Sequence, residues 1–388
     1  MKIFQRLDES IAFADDERMV IEEVKRLAED KIKPRAADYD EASRFPWENL
    51  HDINALELNK MFIPDRYGGS EVSYSAYLAC CREISAACAA TGIVWATNFH
   101  ATSPIVDFAS DEQKQRWLPR IAEGGIAALA LTEPNAGSDA TGMKTRFRPD
   151  GDDIVIDGLK VFITNGDVCD ILVLFGKWCE LGDGKDAISI AVVEKGTPGL
   201  EVQRTEKKMG IRGSSTAALS FTNCRIPRAN LLRSPGQGLS MLFDFLNKSR
   251  PSVAAHALGI ARAAFSDAID YINERRQFGK RIVEFQGIQF LLADLATDLA
   301  MCERWLWHVA QRIEAGEKDI AQESSMLKMR ASDLAMRISS DAVQLLGGCG
   351  YTKDYRVERL MRDAKITQIW EGTNQIHRQI IGRSFIQR

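Results

Sequence analysis

Between residues 284 and 315, apolar side chains return at alternating steps of four and three: Ile288, Leu292, Leu295, Leu299, Cys302, Leu306, Val309 and Ile313. An α-helix, with 3.6 residues per turn, puts all of them on one face. A helix of this span is on the order of 45 Å long. A stripe that long must be covered by other helices. Gly316 suits its C-terminal end, and the next stretch repeats the pattern with Leu327, Ala331, Leu334, Ile338, Ala342 and Leu345. Two long antiparallel striped helices predict a helical bundle. Upstream, 238–273 also reads as helix, with Pro251 expected to kink or interrupt it near Arg250.

The rest of the chain divides by pattern. Residues 15–30, 46–58, 74–91 and 111–122 read as helices, separated by turn signals such as Pro64-Asp65-Arg66-Tyr67-Gly68-Gly69. From about 126 the pattern changes to short β-type runs at 127–131, 153–156, 161–164, 171–175, 188–193 and 217–221, divided by Gly- and Asp-rich turns. The expected class is α+β and mostly α. It comprises an N-terminal helical domain (1–125), a central β domain resembling a barrel (126–235) and a C-terminal helical domain (236–388). Junctions between such domains leave cavities where cofactors commonly bind.

Composition narrows the function classes. The net charge of −4 across 388 residues gives no basis for nucleic-acid binding. No apolar run reaches the roughly 20 residues of a membrane span, so no membrane insertion is expected. The start, Met1-Lys2-Ile3-Phe4-Gln5-Arg6, lacks the apolar stretch of a secretory signal. The eight cysteines form no C-x-x-C pair, and they read as buried free thiols of a cytoplasmic protein. Five histidines without metal-ligand spacing give no metal site.

Five short runs carry chemistry. Leu131-Thr132-Glu133-Pro134-Asn135-Ala136-Gly137-Ser138-Asp139 is a loop after a strand, with hydroxyls and N–H groups able to hold a ring's carbonyls and nitrogens; it also suits an ordinary capping loop. Val161-Phe162-Ile163-Thr164-Asn165-Gly166 ends a strand, and its Asn-Gly pair suits a hairpin turn. Arg275-Arg276-Gln277-Phe278-Gly279-Lys280, with Gln286 after it, could bind a pyrophosphate or simply place cations at a helix C-terminus. Gln344-Leu345-Leu346-Gly347-Gly348-Cys349-Gly350 ends a helix on glycines that allow close backbone approach, without the strand and G-x-G-x-x-G of a Rossmann motif. Finally, Glu371 lies in Ile369-Trp370-Glu371-Gly372-Thr373-Asn374-Gln375. A carboxylate in an apolar setting is a stronger base, and Gly372 lets a backbone N–H approach a bound group. Thr373 and Asn374 equally suit a helix start.

Taken in order, these runs resemble those of the acyl-CoA dehydrogenases over nearly the whole chain, closest to short- and medium-chain members. The stretch Asn247-Lys248-Ser249-Arg250-Pro251 adds to the likeness. The resemblance implies a C-terminal four-helix bundle, a homotetramer, and FAD bound between the β domain and the bundle. It implies that Leu131, Thr132, Ser138, Phe162 and Thr164 line the flavin, although the family often has Trp in place of Phe162. Arg275, Gln277, Phe278 and Gln286 would hold the FAD of a neighbouring subunit, and Gln344, Gly347 and Gly348 would contact it across the same interface. Thr373 and Gln375 would meet the cofactor near Glu371. Ser138, Asn247, Arg250 and Arg383 match positions that contact the CoA thioester or its nucleotide part, with Gly372 also on the substrate side, although the family usually has Asp in place of Asn247.

By the same resemblance, Glu371 is the base that takes the α-proton of an acyl-CoA. The β-hydrogen leaves as hydride to flavin N5, the product is a 2-enoyl-CoA, and an electron-transferring flavoprotein accepts the electrons. Some relatives place the base on the helix around Arg250, but residues 247–251 hold no carboxylate here. The segment 89–99, which would lie near the acyl pocket, has no Lys or Arg, which argues against a glutaryl group. Its Trp95 and Phe99 favour a short, branched or cyclic acyl group. The alternatives are a flavin oxidase or monooxygenase on the same fold, an acyl carrier protein as thioester carrier, and a scaffold without activity.

Overall fold

The computed structural model describes residues 2–386 and is helical, then β, then helical. The first part holds α1 (Lys2–Glu9), α2 (Asp15–Leu27), α3 (Lys33–Ala42), α4 (Trp47–Ala55), α5 (Tyr74–Ala87), α6 (Ala89–Phe108) and α7 (Asp111–Ala122). A π-helical stretch, Ala28–Ile32, joins α2 to α3, so this helix continues well past residue 30. Ser110 caps α7, and its Oγ accepts the Gln113 N–H. The single helix expected over 74–91 is two, parted at Cys88, where the backbone is extended (φ −152°). Almost all of α6 is buried, so it carries no stripe for periodicity to reveal.

The β part holds β1 (Ala127–Ala130), β2 (Arg146–Asp150), β3 (Asp153–Thr164), β4 (Ile171–Trp178), β5 (Ile188–Glu194), β6 (Leu200–Thr205), β7 (Thr216–Pro227) and β8 (Leu231–Leu232). They form one sheet in the order β6-β7-β3-β2-β4-β5-β8, with β1 parallel to β4. The runs expected at 153–156 and 161–164 are two ends of β3. Irregularities in its pairing with β7, near Gly158 and Phe162, break the alternation that would have joined them. β6 has no buried position, hence no sequence signal. The Asn165-Gly166 turn does not close a hairpin, because β3 pairs with β2 and β7 rather than with β4. Instead Asn165 is buried, and its Nδ2 donates to the carbonyls of Val94 (3.0 Å) and Ala127 (3.4 Å), tying β3 to α6 and β1.

The C-terminal part holds α8 (Gly238–Glu274), a hairpin of β9 (Arg276–Gln277) and β10 (Lys280–Arg281), α9 (Gln286–Glu314), α10 (Ala321–Leu346), α11 (Val357–Thr367) and α12 (Asn374–Arg383). Leu295, Leu299, Cys302, Leu306 and Val309 of the seam are buried, and Gly316 (φ 77°) follows the end of α9. A cluster of Asp8, Arg82, Arg262 and Glu303 ties α1 to α5, α8 and α9.

Pro251 does not interrupt α8, which runs through it. Proline has no N–H and crowds the carbonyls one turn earlier. Here those carbonyls find other donors: Ser324 Oγ of α10 donates to Asn247 O at 3.2 Å, and Tyr74 Oη of α5 donates to Lys248 O. The proline therefore marks where α5 and α10 dock on α8. A buried acceptor left without its donor costs about 1–3 kcal/mol. Ser324→Ala should lower the unfolding free energy in urea by about that amount, and an unchanged value would show that these carbonyls need no outside donor.

Candidate active site

Glu371 sits in the link between α11 and α12, with both Glu371 (φ 50°) and Gly372 (φ 92°) in left-handed backbone. A glutamate rarely adopts this conformation without support. A side chain at Gly372 would also be crowded, because a Cβ would come 3.2 Å from Nε2 of His377. The turn is fastened from three sides. Ser249 Oγ of α8 donates to Glu371 Oε2 at 2.8 Å. Lys328 Nζ of α10 donates to Gly372 O at 2.7 Å and to Asn374 Oδ1 at 3.2 Å. Thr373 caps α12, its hydroxyl accepting the Ile376 N–H. The buried Asn374 returns Nδ2 to Asp333 Oδ1 at 2.7 Å. Thr373 and Asn374 thus fill the helix-start role that their residue types suggest, beside the carboxylate rather than instead of it.

The apolar setting expected for Glu371 is not what surrounds it. Alongside Trp370 stand a hydroxyl and two buried basic side chains, Arg250 and Lys328, both of which feel its charge. Burial pushes Lys328 down to about 7 and Arg250 down to about 10, with Glu371 opposing the shift in each. Burial, then the charges of Lys328 and Arg250, push His377 down to about 3. His100 and His256 are likewise lowered by burial, so all three imidazoles are neutral bodies near neutral pH. His100 Nε2 meets Ser252 Oγ at 3.2 Å, and Ser252 meets Tyr77 Oη at 2.8 Å. The rings of Tyr77 and Phe99 stack at 4.3 Å, with Phe62, Tyr74 and Trp95 packed around them.

A second group of residues lies on the β part. Glu133 is buried and saturated: Thr145 donates N–H (2.9 Å) and Oγ1 (2.6 Å), Lys144 donates N–H (2.5 Å) and Lys160 donates Nζ (2.8 Å). Lys160 also holds Leu131 O at 2.8 Å, and Val161 N–H holds Thr132 O at 2.9 Å. The loop 131–139 is thereby fixed against β3. Next to it Phe162 stands 64% exposed on left-handed backbone (φ 60°). An aromatic ring held out of the core this way is a platform for a planar ligand.

The N-terminal, middle and C-terminal domain models of acyl-CoA dehydrogenase match residues 14–125, 128–224 and 236–386. The chain belongs to the acyl-CoA dehydrogenases. It is 41% identical to cyclohex-1-ene-1-carbonyl-CoA dehydrogenase of Geobacter metallireducens, over 96% of this chain and 98% of that one. Among solved structures it is similar to butyryl-CoA dehydrogenase of Megasphaera elsdenii, with 33% identity and a TM-score of 0.94 over 97% of this chain and 100% of that one. It is also similar to a chain in the structure of the electron transferring flavoprotein of Acidaminococcus fermentans, with 37% identity and a TM-score of 0.94 over 98% of this chain and 100% of that one.

This acyl-CoA dehydrogenase is accordingly an FAD-dependent oxidoreductase, and its residues fit that group. Thr132 is half-buried, with its carbonyl bonded to the residue before the exposed Phe162; Ser138 is exposed, and Thr164 ends the same strand as Phe162. Gly347 (φ 60°) and Gly348 open α10's end to close approach, with no atom within 4 Å of an added Cβ at either. The structure joins Glu371 and Gly372 to the neighbourhood of Arg250, and Leu131 and Thr132 to that of Phe162. Arg275, Gln277, Phe278, Gln286, Gln344, Gln375 and Arg383 lie exposed on the single chain. Asn247 contributes its carbonyl to Ser324.

Sequence reading passed over Ser249, Lys328, Asp333 and Asn374 as members of the site, and Glu133 and Lys160 as its support. A signal existed for Lys328: it lies one residue past Leu327 of the apolar stripe, among Ser324, Ser325 and Ser332, all buried. Breaking a buried ion pair from one side costs about 3–5 kcal/mol. Glu133→Gln should destabilise the enzyme by that order in chemical denaturation and lower its flavin content, whereas Glu133→Gln with Lys160→Met should cost markedly less. Equal losses in the single and double variants would count against the pair as the loop's anchor.

Proposed function

We propose that this enzyme oxidises an acyl-CoA thioester to its 2-enoyl-CoA, with Glu371 as the base that takes the α-proton. The observation that carries this is the carboxylate fastened in a left-handed turn by Ser249 and flanked by the buried basic side chains Arg250 and Lys328. A base held this firmly has little freedom to lose on reaching the transition state. Its own backbone N–H and the small Gly372 suit a thioester carbonyl that gathers negative charge as the proton leaves. Bound FAD supplies the acceptor for the β-hydride. Thr132, Ser138, Phe162 and Thr164 would hold its ring side, and Thr373 and Gln375 would reach it near the base. Arg250, with Asn247, Ser138 and Arg383, would hold the CoA thioester.

The substrate we assign is a short, branched or cyclic acyl group. Phe62, Tyr74, Tyr77, Trp95 and Phe99 pack into an aromatic wall, and His100 at its edge feels the charge of Glu371. α6, which supplies Trp95, Phe99 and His100, has no Lys or Arg to meet a distal carboxylate. The cyclohexene-carbonyl substrate named for the Geobacter relative agrees with this reading.

A homotetramer is supported by Phe278 (92% exposed) and by Phe290, Met301 and Tyr351, large apolar side chains left open on the single chain. In such an assembly Arg275, Gln277, Phe278, Gln286, Gln344, Gly347 and Gly348 would complete a neighbour's FAD site. An electron-transferring flavoprotein as electron acceptor is supported by the likeness to a chain in the structure of such a flavoprotein. All eight cysteines are free, which fits a reducing cytoplasm, and no helix among the described residues is long and apolar enough to cross a membrane.

Glu371→Gln should keep its FAD and its affinity for acyl-CoA, yet reduce its flavin about 10²–10⁴-fold more slowly in single turnover; wild-type speed would refute the base. Mixed with a panel of thioesters, the wild-type enzyme should bleach its flavin band fastest with short or cyclic acyl-CoAs. Bleaching fastest with a long straight chain, or only with thioesters of acyl carrier protein, would overturn the substrate reading.

A further inference from the structure

Lys328, in the N-terminal third of α10, is 0% exposed. Burying an ammonium costs several kcal/mol unless its surroundings repay it. Its hydrogen bonds go to two uncharged oxygens, Gly372 O at 2.7 Å and Asn374 Oδ1 at 3.2 Å. The nearby carboxylates, Glu371 and Asp333, act on it only through space. A methionine would fill the same space with no ammonium to desolvate, but it would leave Gly372 O and Asn374 Oδ1 without their donor, so the lysine is accounted for by what it holds.

It holds the peptide that immediately follows Glu371. Two successive left-handed residues turn the Gly372 carbonyl inward, where burial demands a donor. At the start of α12 the Asn374 N–H goes to Gln368 O and the Ile376 N–H to the Thr373 hydroxyl, so neither serves this carbonyl. Lys328 supplies it from a different helix. Asn374 accepts the same ammonium and is itself braced by Ser332 Oγ at 3.2 Å and Asp333 Oδ1 at 2.7 Å, so both ends of the turn are referenced to α10. Ser249 fixes the carboxylate from α8.

We propose that Lys328 is a positioning residue for the reaction: it locks the left-handed turn that aims Glu371, and so acts on the proton-transfer step rather than on substrate binding. The inference rests on Glu371 being the base. Displacing a catalytic group by about 1 Å costs on the order of 10²-fold in rate. In the FAD-loaded enzyme, Lys328→Met should therefore slow single-turnover flavin reduction about 10²-fold, while the Kd for a 2-enoyl-CoA, read from the shift of the flavin spectrum, stays at the wild-type value. Should that variant fail to fold, Lys328→Gln carries the same test, since it keeps a polar side chain in the niche but falls short of Gly372. A Lys328 variant that reduces its flavin at wild-type speed overturns the proposal, and so does one that loses binding in proportion to rate. Glu371→Gln measured alongside separates the two readings. If it is inactive while the Lys328 variant is fast, only the positioning role fails; if it is itself active, the base assignment fails and the positioning role with it.

Discussion

The turn at Glu371 and Gly372 is unfavourable by itself and exists because two helices hold it. Glutamate in left-handed backbone is strained, yet Ser249 of α8 fixes its carboxylate and Lys328 of α10 fixes the carbonyl of the next residue. Both contacts require α8 and α10 to lie side by side at a set register. The docking around Pro251 provides that register: the carbonyls it frees are taken by Ser324 of α10 and Tyr74 of α5. The long apolar seams of the bundle are thus the means by which one carboxylate is aimed.

The β part supports a different surface by the same strategy of burying charge to fix a loop. Glu133 and Lys160 form a hydrogen-bonded buried pair under residues 131–139, and Phe162 is left standing clear beside them. Asn165 ties β3 to α6, Asn98 Oδ1 accepts the Ala127 N–H at 2.9 Å, and Asp363 accepts the N–H of Ile211. These bonds join the sheet to both helical parts. The proposed reaction needs the flavin surface and the base held in one frame, and polar groups buried at the junctions supply that frame.

What could be read from the residues beforehand follows from where each side chain points. The seam from Ile288 to Ile313 and helix α7 were legible because one face is buried and the other wet. Helix α6 was not, because it is covered on nearly every side and has no period. Strand β3 was seen in fragments because its pairing is irregular near Gly158 and Phe162. The continuity of α8 through Pro251 depends on donors from two other helices, and no local pattern reports those. Glu371 was recognisable by its motif, but its surroundings were misjudged: Trp370 and Gly372 suggested an apolar niche, whereas Ser249, Arg250 and Lys328 arrive from 43 to 122 positions away. Lysine near an apolar stripe ordinarily reaches for water, so the one local mark of a buried Lys328, the small serines around it, is weak.

In the proposed reaction, Glu371 moves the α-proton of a bound thioester. Proton exchange reports this directly. A short acyl-CoA incubated with the enzyme in deuterated water and followed by NMR should gain deuterium at the α-carbon alone with wild type, and gain none with Glu371→Gln. Exchange that persists in the variant, or that appears at a carbon other than α, would contradict the claim.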